Sequence, residues 1–339
     1  MKMKFHTVPT DPGVDWVKDE AWAIDAPPDS ESNPLPDASW PEDAARSGIC
    51  GTVAPNVVPL LNGGYRMYYT QILPRPGFPG GANDYDNSMT RILSASSADG
   101  LDWTPDAGTR LSPQEGGAGD FRVVSSEVVP VETESGMLRM YFECCPGPQS
   151  GQSTIRSASS EDGGLSWRVE PGVRIGEGDR GFSSPRLINL DDGRYRLYFS
   201  ERGVGIISAL SVDGLEFQEE EGIRIRRGDR YDAFTAFAPE VLRIADGAYR
   251  MYYSGYSAAD RAQILTAFSE DGLSWQKASE PVIVPGGSRW DSTKCSEMCV
   301  AQIADEPDGR PRYRIYYEAC DGTAANKRGV WRIASATSA

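Results

Sequence analysis

Five short segments of one design recur along the chain: YRMYY at Tyr65–Tyr69, LRMYF at Leu138–Phe142, YRLYF at Tyr195–Phe199, YRMYY at Tyr249–Tyr253 and YRIYY at Tyr313–Tyr317. Each alternates apolar with polar residues, the period of a strand with two unlike faces. Glycine-bearing turns precede them, as at Asn62-Gly63-Gly64, Asp192-Gly193 and Asp246-Gly247, so each copy reads as the second strand of a hairpin. The intervals are uneven, because loops differ, but each suits a four-stranded unit.

A second motif follows four of the five copies: SADGLDW ending at Trp103, SEDGGLSW at Trp167, SVDGLEF at Phe217 and SEDGLSW at Trp275. Asp-Gly supplies a tight turn, the serine bonds back to it, and the aromatic fills the gap between neighbouring sheets. Ser160–Trp167 has the Asp-box spacing S-x-D-x-G-x-S-W, and the other three are one residue shorter. After the fifth hairpin, Trp331–Ala336 reads as a third strand with no fourth behind it. The segment Met1 to Ile24, with Trp16 and Trp22, is expected to supply that strand and close the ring, which removes exposed sheet edges. The acidic, Pro-rich stretch from Asp25 to Asp43 reads as a surface loop. The expected fold is all-β: a single five-bladed β-propeller domain over residues 1–339, with 1–50 as closing strand and surface loop and 51–339 as four-stranded blades.

Charge narrows the partners. With 34 Lys and Arg against 49 Asp and Glu, the net charge of -15 repels phosphate backbones and anionic lipid surfaces. Nucleic acid and membrane are therefore not expected as partners, and no stretch approaches the ~20 apolar residues that span a bilayer. A soluble, cytoplasmic protein is expected. Its six cysteines form no C-x-x-C pair and are expected to stay reduced, with Cys295 and Cys320 on adjacent strands as inert thiols. The one histidine, His6, lies near a terminus expected to be mobile, so neither a Ser-His-Asp triad nor a His-rich zinc site is expected. No metal or cofactor is expected.

The segments before the hairpins align as a small residue, Pro or Ser, a variable residue, then an aliphatic, and the variable slot reads Asn56, Glu127, Arg186, Glu240 and Glu297. In a propeller these positions converge on the axis. Such groups are costly to bury unless paired or used, and clustered carboxylates drive their pKa values apart. The ring reads either as an active site or as a structural ion-pair network. The returning strands add Glu143, Glu201, Tyr256 and Glu318, whose polarity suits sugar hydroxyls or merely solvent. Arg122, Arg180, Arg230 and Arg289, on the loops entering the units, read as salt-bridge partners or as anion contacts.

The five hairpins, the Asp-Gly turns and the pairs Tyr231-Asp232 and Trp290-Asp291 together resemble the five-bladed glycoside hydrolase superfamily of arabinanases, β-xylosidases, invertases and mannoside phosphorylases. The resemblance implies glycosidic bond chemistry on a carbohydrate or small-molecule substrate. Glu127, Glu240 and Glu297 would supply acid and base, and Asn56, Glu143, Arg186, Glu201, Asp232, Tyr256, Asp291 and Glu318 would bind substrate. One departure stands out: the superfamily's base is usually an Asp of the first blade, where this chain has Asn56, with Asp43, Asp84 and Asp86 nearby but outside the motif. A non-hydrolytic carbohydrate-binding propeller and a lyase or cyclase on the same scaffold are the alternative readings.

Overall fold

The computed structural model describes residues 5–25, 51–60, 63–74, 88–131, 136–147, 151–176, 178–228, 230–305, 309–322 and 330–339. The loop expected after Asp25, together with Asp43, Asp84 and Asp86, lies outside them. The regular structure of the described residues is β-strand, arranged as five antiparallel units. Unit one comprises Gly51–Pro59, Tyr65–Pro74, Ser88–Ser97 and Thr104–Pro105. Unit two comprises Arg122–Pro130, Leu138–Cys145, Thr154–Ser160 and Arg168–Val169. Unit three comprises Phe182–Asn189, Tyr195–Glu201, Gly205–Ser211 and Gln218–Glu219. Unit four comprises Thr235–Ile244, Tyr249–Ala258, Arg261–Ser269 and Gln276–Lys277. Unit five has Lys294–Asp305, Pro311–Cys320 and Trp331–Ser338, and its fourth strand is Trp16–Ile24, antiparallel to Trp331–Ser338.

The first, inner strand of each unit lies against the inner strands of two others, one to two through to four to five, and five back to one. Stitches join units where a third strand meets the next inner strand: Thr90 N donates to Phe121 O (3.1 Å), Ser153 pairs with Gly181, Ala262 with Lys294 and Trp331 with Gly51. At the last of these a Cβ on residue 51 would lie 2.2 Å from the Trp331 carbonyl oxygen, so the seam between units five and one requires glycine.

The recurring motif explains how the units hold one another. Its fourth residue is a tyrosine with no more than 1% exposure in every copy, and each hydroxyl crosses to a glycine carbonyl of the neighbouring unit. Tyr68 donates to Gly164 O (3.1 Å), Tyr141 to Gly214 O (2.7 Å), Tyr198 to Gly272 O (2.7 Å) and Tyr316 to Gly100 O (2.6 Å). These glycines belong to the four Asp-Gly turns, whose aspartates accept two successive backbone N–H groups. The turn aromatic meets the same tyrosine edge to face, with centroids 5.6–6.0 Å apart for Trp103, Trp167, Phe217 and Trp275. The motif arginine completes the staple: Arg139 and Arg196 each hold a glutamate by two bonds and also reach the carbonyl of the neighbour's turn aspartate.

Unit four faces no Asp-Gly turn, and the N-terminal segment takes its place. Tyr252 donates to Gly13 O (2.7 Å), Arg250 pairs with Asp11, and Trp16 packs edge to face on Tyr252 at 5.7 Å. Asp11-Pro12-Gly13-Val14-Asp15-Trp16 matches Asp162-Gly163-Gly164-Leu165-Ser166-Trp167 in spacing, a signal present in the sequence and missed in reading it. The likeness continues two residues on. Lys277 and Lys18 reach buried Asp232 and Asp291, which also accept the hydroxyls of Tyr253 and Tyr317.

Trp16→Ala and Trp167→Ala should therefore each lower stability by about 3 kcal/mol, the low end for emptying a large aromatic site, measured by denaturant unfolding. A Trp16 variant as stable as the wild type would show that the N-terminal turn does not do the work of the other four.

Candidate functional site

Strand register fixes the inner slot as the residue opposite each fourth-position tyrosine: Asn56, Glu127, Arg186, Glu240 and, in unit five, Cys299. Glu297 does not occupy that slot, which corrects the sequence alignment. Units one to four carry a two-residue bulge before the slot, with Ala54, Ser125, Ser184 and Ala238 at φ of 52° or 53°. Unit five has a one-residue bulge at Glu297, so Ser296-Glu297-Met298 imitates Ser126-Glu127-Val128 in sequence while standing two positions out of phase.

The slot residues knit the inner strands together. Each accepts a hydrogen bond from the backbone N–H just after the next unit's slot: Asn56 Oδ1 from Val128 (3.0 Å), Glu127 Oε1 from Leu187 (3.1 Å), Glu240 Oε1 from Val300 (2.9 Å) and Cys299 Sγ from Val57 (3.2 Å). Arg186, which has no acceptor, breaks the pattern by donating to Glu240 Oε2 (2.7 Å) and to the carbonyls of Pro55, Pro185 and Met298. Asn56 Nδ2 donates to Glu127 Oε2 at 2.8 Å, a bond an aspartate could not make. Glu127 and Glu240 are wholly buried with both oxygens engaged. Asn56, Glu127, Arg186 and Glu240 thus form an axial ion-pair and hydrogen-bond network, the second of the two readings the sequence left open.

His6 joins that network. The strand pair Thr7–Val8 runs parallel to Arg243–Ile244 at the far end of unit four's inner strand, Phe5 stacks on Tyr195, and His6 Nε2 meets Glu127 Oε1 at 2.7 Å. The expected mobile histidine is instead held, its side chain 11% exposed. Burial pushes its pKa down, but Glu127 and then Glu240 outweigh that and hold it above 6.5, against Arg186.

Other expected ligands are also engaged within the fold. Asp232 and Asp291 are buried nodes bonded to lysine and tyrosine. Glu201 is the seventh residue of its motif, on the strand face opposite Glu143, and is gripped by Arg180 through two bonds of 2.7 Å. Arg230 pairs with Glu280, Arg289 lies over Trp22, and Arg122 donates to Gly147 O and Cys145 Sγ. Burial raises the thiol pKa values of Cys295 and Cys320, leaving them unreactive. Among the described residues no group of three or more His, Cys, Asp or Glu is arranged to hold a metal ion.

A different layer, toward the start of the inner strands, gathers the remaining carboxyls. It combines the residue two before the slot (Ala54, Ser125, Ser184, Ala238, Glu297) with the sixth motif residue (Thr70, Glu143, Ser200, Ser254, Glu318). The two sets interlock: Ser125 N donates to Thr70 Oγ1, Ala238 N to Ser200 Oγ, and Ala54 N to Glu318 Oε2. Ser254 Oγ has no partner among the described residues. Against seven small side chains stand three glutamates.

Glu297 is partly exposed and accepts Ser125 Oγ at 2.8 Å. Glu318 accepts Ser296 Oγ at 2.5 Å, and that serine also meets the Tyr256 hydroxyl at 3.4 Å. Glu143 pairs with Arg202 at 3.2 Å. Burial pushes the Glu143 carboxyl up to about 7, with Glu297 adding to the rise and Arg202 and Arg122 opposing it. Burial also raises Glu297, and burial with the charge of Glu297 raises Glu318 well above the carboxylate range. Three carboxyls that disfavour one another's ionisation can divide the roles of proton donor and acceptor.

This architecture has solved counterparts. The chain matches a thermostable family-43 glycoside hydrolase with a TM-score of 0.64 at 18% identity, covering 84% of this chain and 88% of the other. It matches a GH130 structure described as targeting β-1,2 mannosidic linkages in Candida mannan (TM-score 0.64, 14% identity, 95% and 96% covered). It also matches a β-1,2-mannobiose phosphorylase from Listeria innocua in complex with β-1,2-mannobiose (0.63, 14%, 85% and 89%). The fold is that of the propeller glycoside hydrolases and phosphorylases. No protein-family model and no curated protein matches the sequence.

Because His6 is the chain's one histidine, its imidazole NMR signals can be followed without ambiguity. They should titrate above 6.5 in the wild type and below 6.5 in Glu127→Gln, where burial acts with less opposition. A base with a raised folded pKa stabilises the fold fully below 6.5 and loses that contribution as pH climbs through the folded value. The wild type should lose this increment on alkaline titration, while His6→Ala should show no such loss.

Proposed function

We propose that this chain is a single five-bladed β-propeller, closed by its N-terminal strand, that acts on a glycosidic bond at the Glu143, Glu297 and Glu318 layer. The observation that carries the reading is the partly exposed Glu297 between two buried carboxyls of raised pKa, on a fold shared with glycoside hydrolases. Glu143, near half-protonated at pH 7, serves as general acid, and Glu297, which meets no arginine in a direct ion pair, serves as base. Burial and the charge of Glu297 disfavour ionisation of Glu318, which spares Glu297 a second negative charge beside it. Arg202, Tyr256 and Lys294 surround the layer with groups that bond sugar hydroxyls.

A specific observation favours a second reading, non-hydrolytic carbohydrate binding at the same layer. Asn56 is locked between Glu127 and Val128, so the first unit offers no slot carboxylate to serve as base.

Turnover of aryl glycosides and β-1,2-mannobiose, with and without inorganic phosphate, separates the two. Glu143→Gln and Glu297→Gln should each lower kcat by about 100-fold or more, and wild-type kcat should fall as pH rises through about 7, where Glu143 loses its proton. Glu127→Gln and Glu240→Gln should instead lower stability by about 3–5 kcal/mol, the cost of breaking a buried pair. Saturable binding of mannobiose without turnover on any substrate would favour the binding reading.

A further inference from the structure

The residue two before the slot sits at positive φ in four units, a conformation that strains a non-glycine residue. Ala54 and Ala238 adopt it with no side-chain polar group, so the bulge itself does not call for a hydroxyl. Ser184, the equivalent residue of unit three, has a hydroxyl with no partner among the described residues. Ser125 differs from all three. Its hydroxyl spans from unit two to unit five and donates to Glu297 Oε2 at 2.8 Å, while its own N–H is held by Thr70 Oγ1 at 3.2 Å. The donor is 1% exposed and fixed at both ends, and the acceptor is the carboxylate that reaches open space.

We propose that Ser125 is the positioning residue of Glu297, fixing the orientation of its carboxylate through a hydrogen bond that favours the charged form. The inference rests on the glycosidic reading of that layer for its function, though not for its geometry. A hydroxyl that donates to a carboxylate favours the charged form. Glu297 also feels Arg186 below it, Glu143 and Glu318 beside it and the Tyr256 hydroxyl near them, and of these only Arg186 acts in the same direction as Ser125. Glu318 receives the equivalent bond from Ser296, but it is more enclosed and carries the charge of Glu297 against it. The two serines thus serve carboxyls of unequal exposure.

Three variants separate the hydroxyl from the strain. Ser125→Gly relieves positive φ and removes the donor, Ser125→Ala removes the donor and keeps a residue type that Ala54 and Ala238 show to be accommodated, and Ser125→Asn tolerates positive φ and restores a donor. Titration of the Glu297 carboxyl in ligand-free protein, by infrared difference spectroscopy against Glu297→Gln, requires no substrate. The carboxyl pKa should rise by about one unit in the Gly and Ala variants, the size expected for losing a bond to a charged group, and return part-way in Asn. The lower limb of the kcat profile should move with it. Unchanged titration in the Ala variant overturns the proposal, whatever the Gly variant does. A shifted titration in a protein that turns over no glycoside upholds the positioning and overturns the catalytic reading alone.

Discussion

The bond from each fourth-position tyrosine to a glycine carbonyl of the next unit is the contact on which the rest of this structure depends. Each unit is a narrow sheet with little core of its own, and what makes five of them one body is a repeated, directional attachment at the outer turns. The tyrosine supplies a long apolar ring that fills the gap between sheets and a hydroxyl that needs a partner when buried. The Asp-Gly turn supplies the carbonyl in a fixed place, because the aspartate holds the turn's N–H groups and glycine permits its backbone. The fifth such attachment uses the N-terminal Asp11–Trp16 turn, which leads into the strand Trp16–Ile24 that pairs with Trp331–Ser338.

At the axis the inner strands are joined by polar side chains in place of apolar packing. Glu127, Arg186 and Glu240 are charges taken out of water, and such groups persist only when paired and hydrogen-bonded. The network meets that condition through backbone N–H donors, the Asn56 amide and the His6 ring. In the next layer small residues surround three glutamates, of which Glu297 is partly exposed. Burial raises the carboxyl of Glu240 in the inner network as it does those of Glu143, Glu297 and Glu318, so the two layers differ in the engagement of their oxygens and in the partial exposure of Glu297.

Much of this was legible in the sequence. The hairpins, the Asp-Gly turns with their aromatics, the closing strand with Trp16 and Trp22, and four of the five slots all follow from local patterns that depend on neighbours in the chain. Glu297 was misplaced because Ser296-Glu297-Met298 looks like the true slot of unit two, while the register places Cys299 opposite the fourth-position tyrosine. Asp232, Asp291 and Glu201 were read as open to the axis because their lysine, tyrosine and arginine partners cannot be recognised without coordinates. His6 was set aside as terminal, although its partner lies 121 residues away.

The sequence by itself determined the repeating unit, since strand alternation, turn chemistry and the staple tyrosine are local in the chain and are written five times. Tertiary structure alone decided which charges are paired within the scaffold and which stay partly exposed. That choice depends on burial and on distances between units, as in Ser125 to Glu297 and His6 to Glu127, and neither quantity is carried by residue type or spacing.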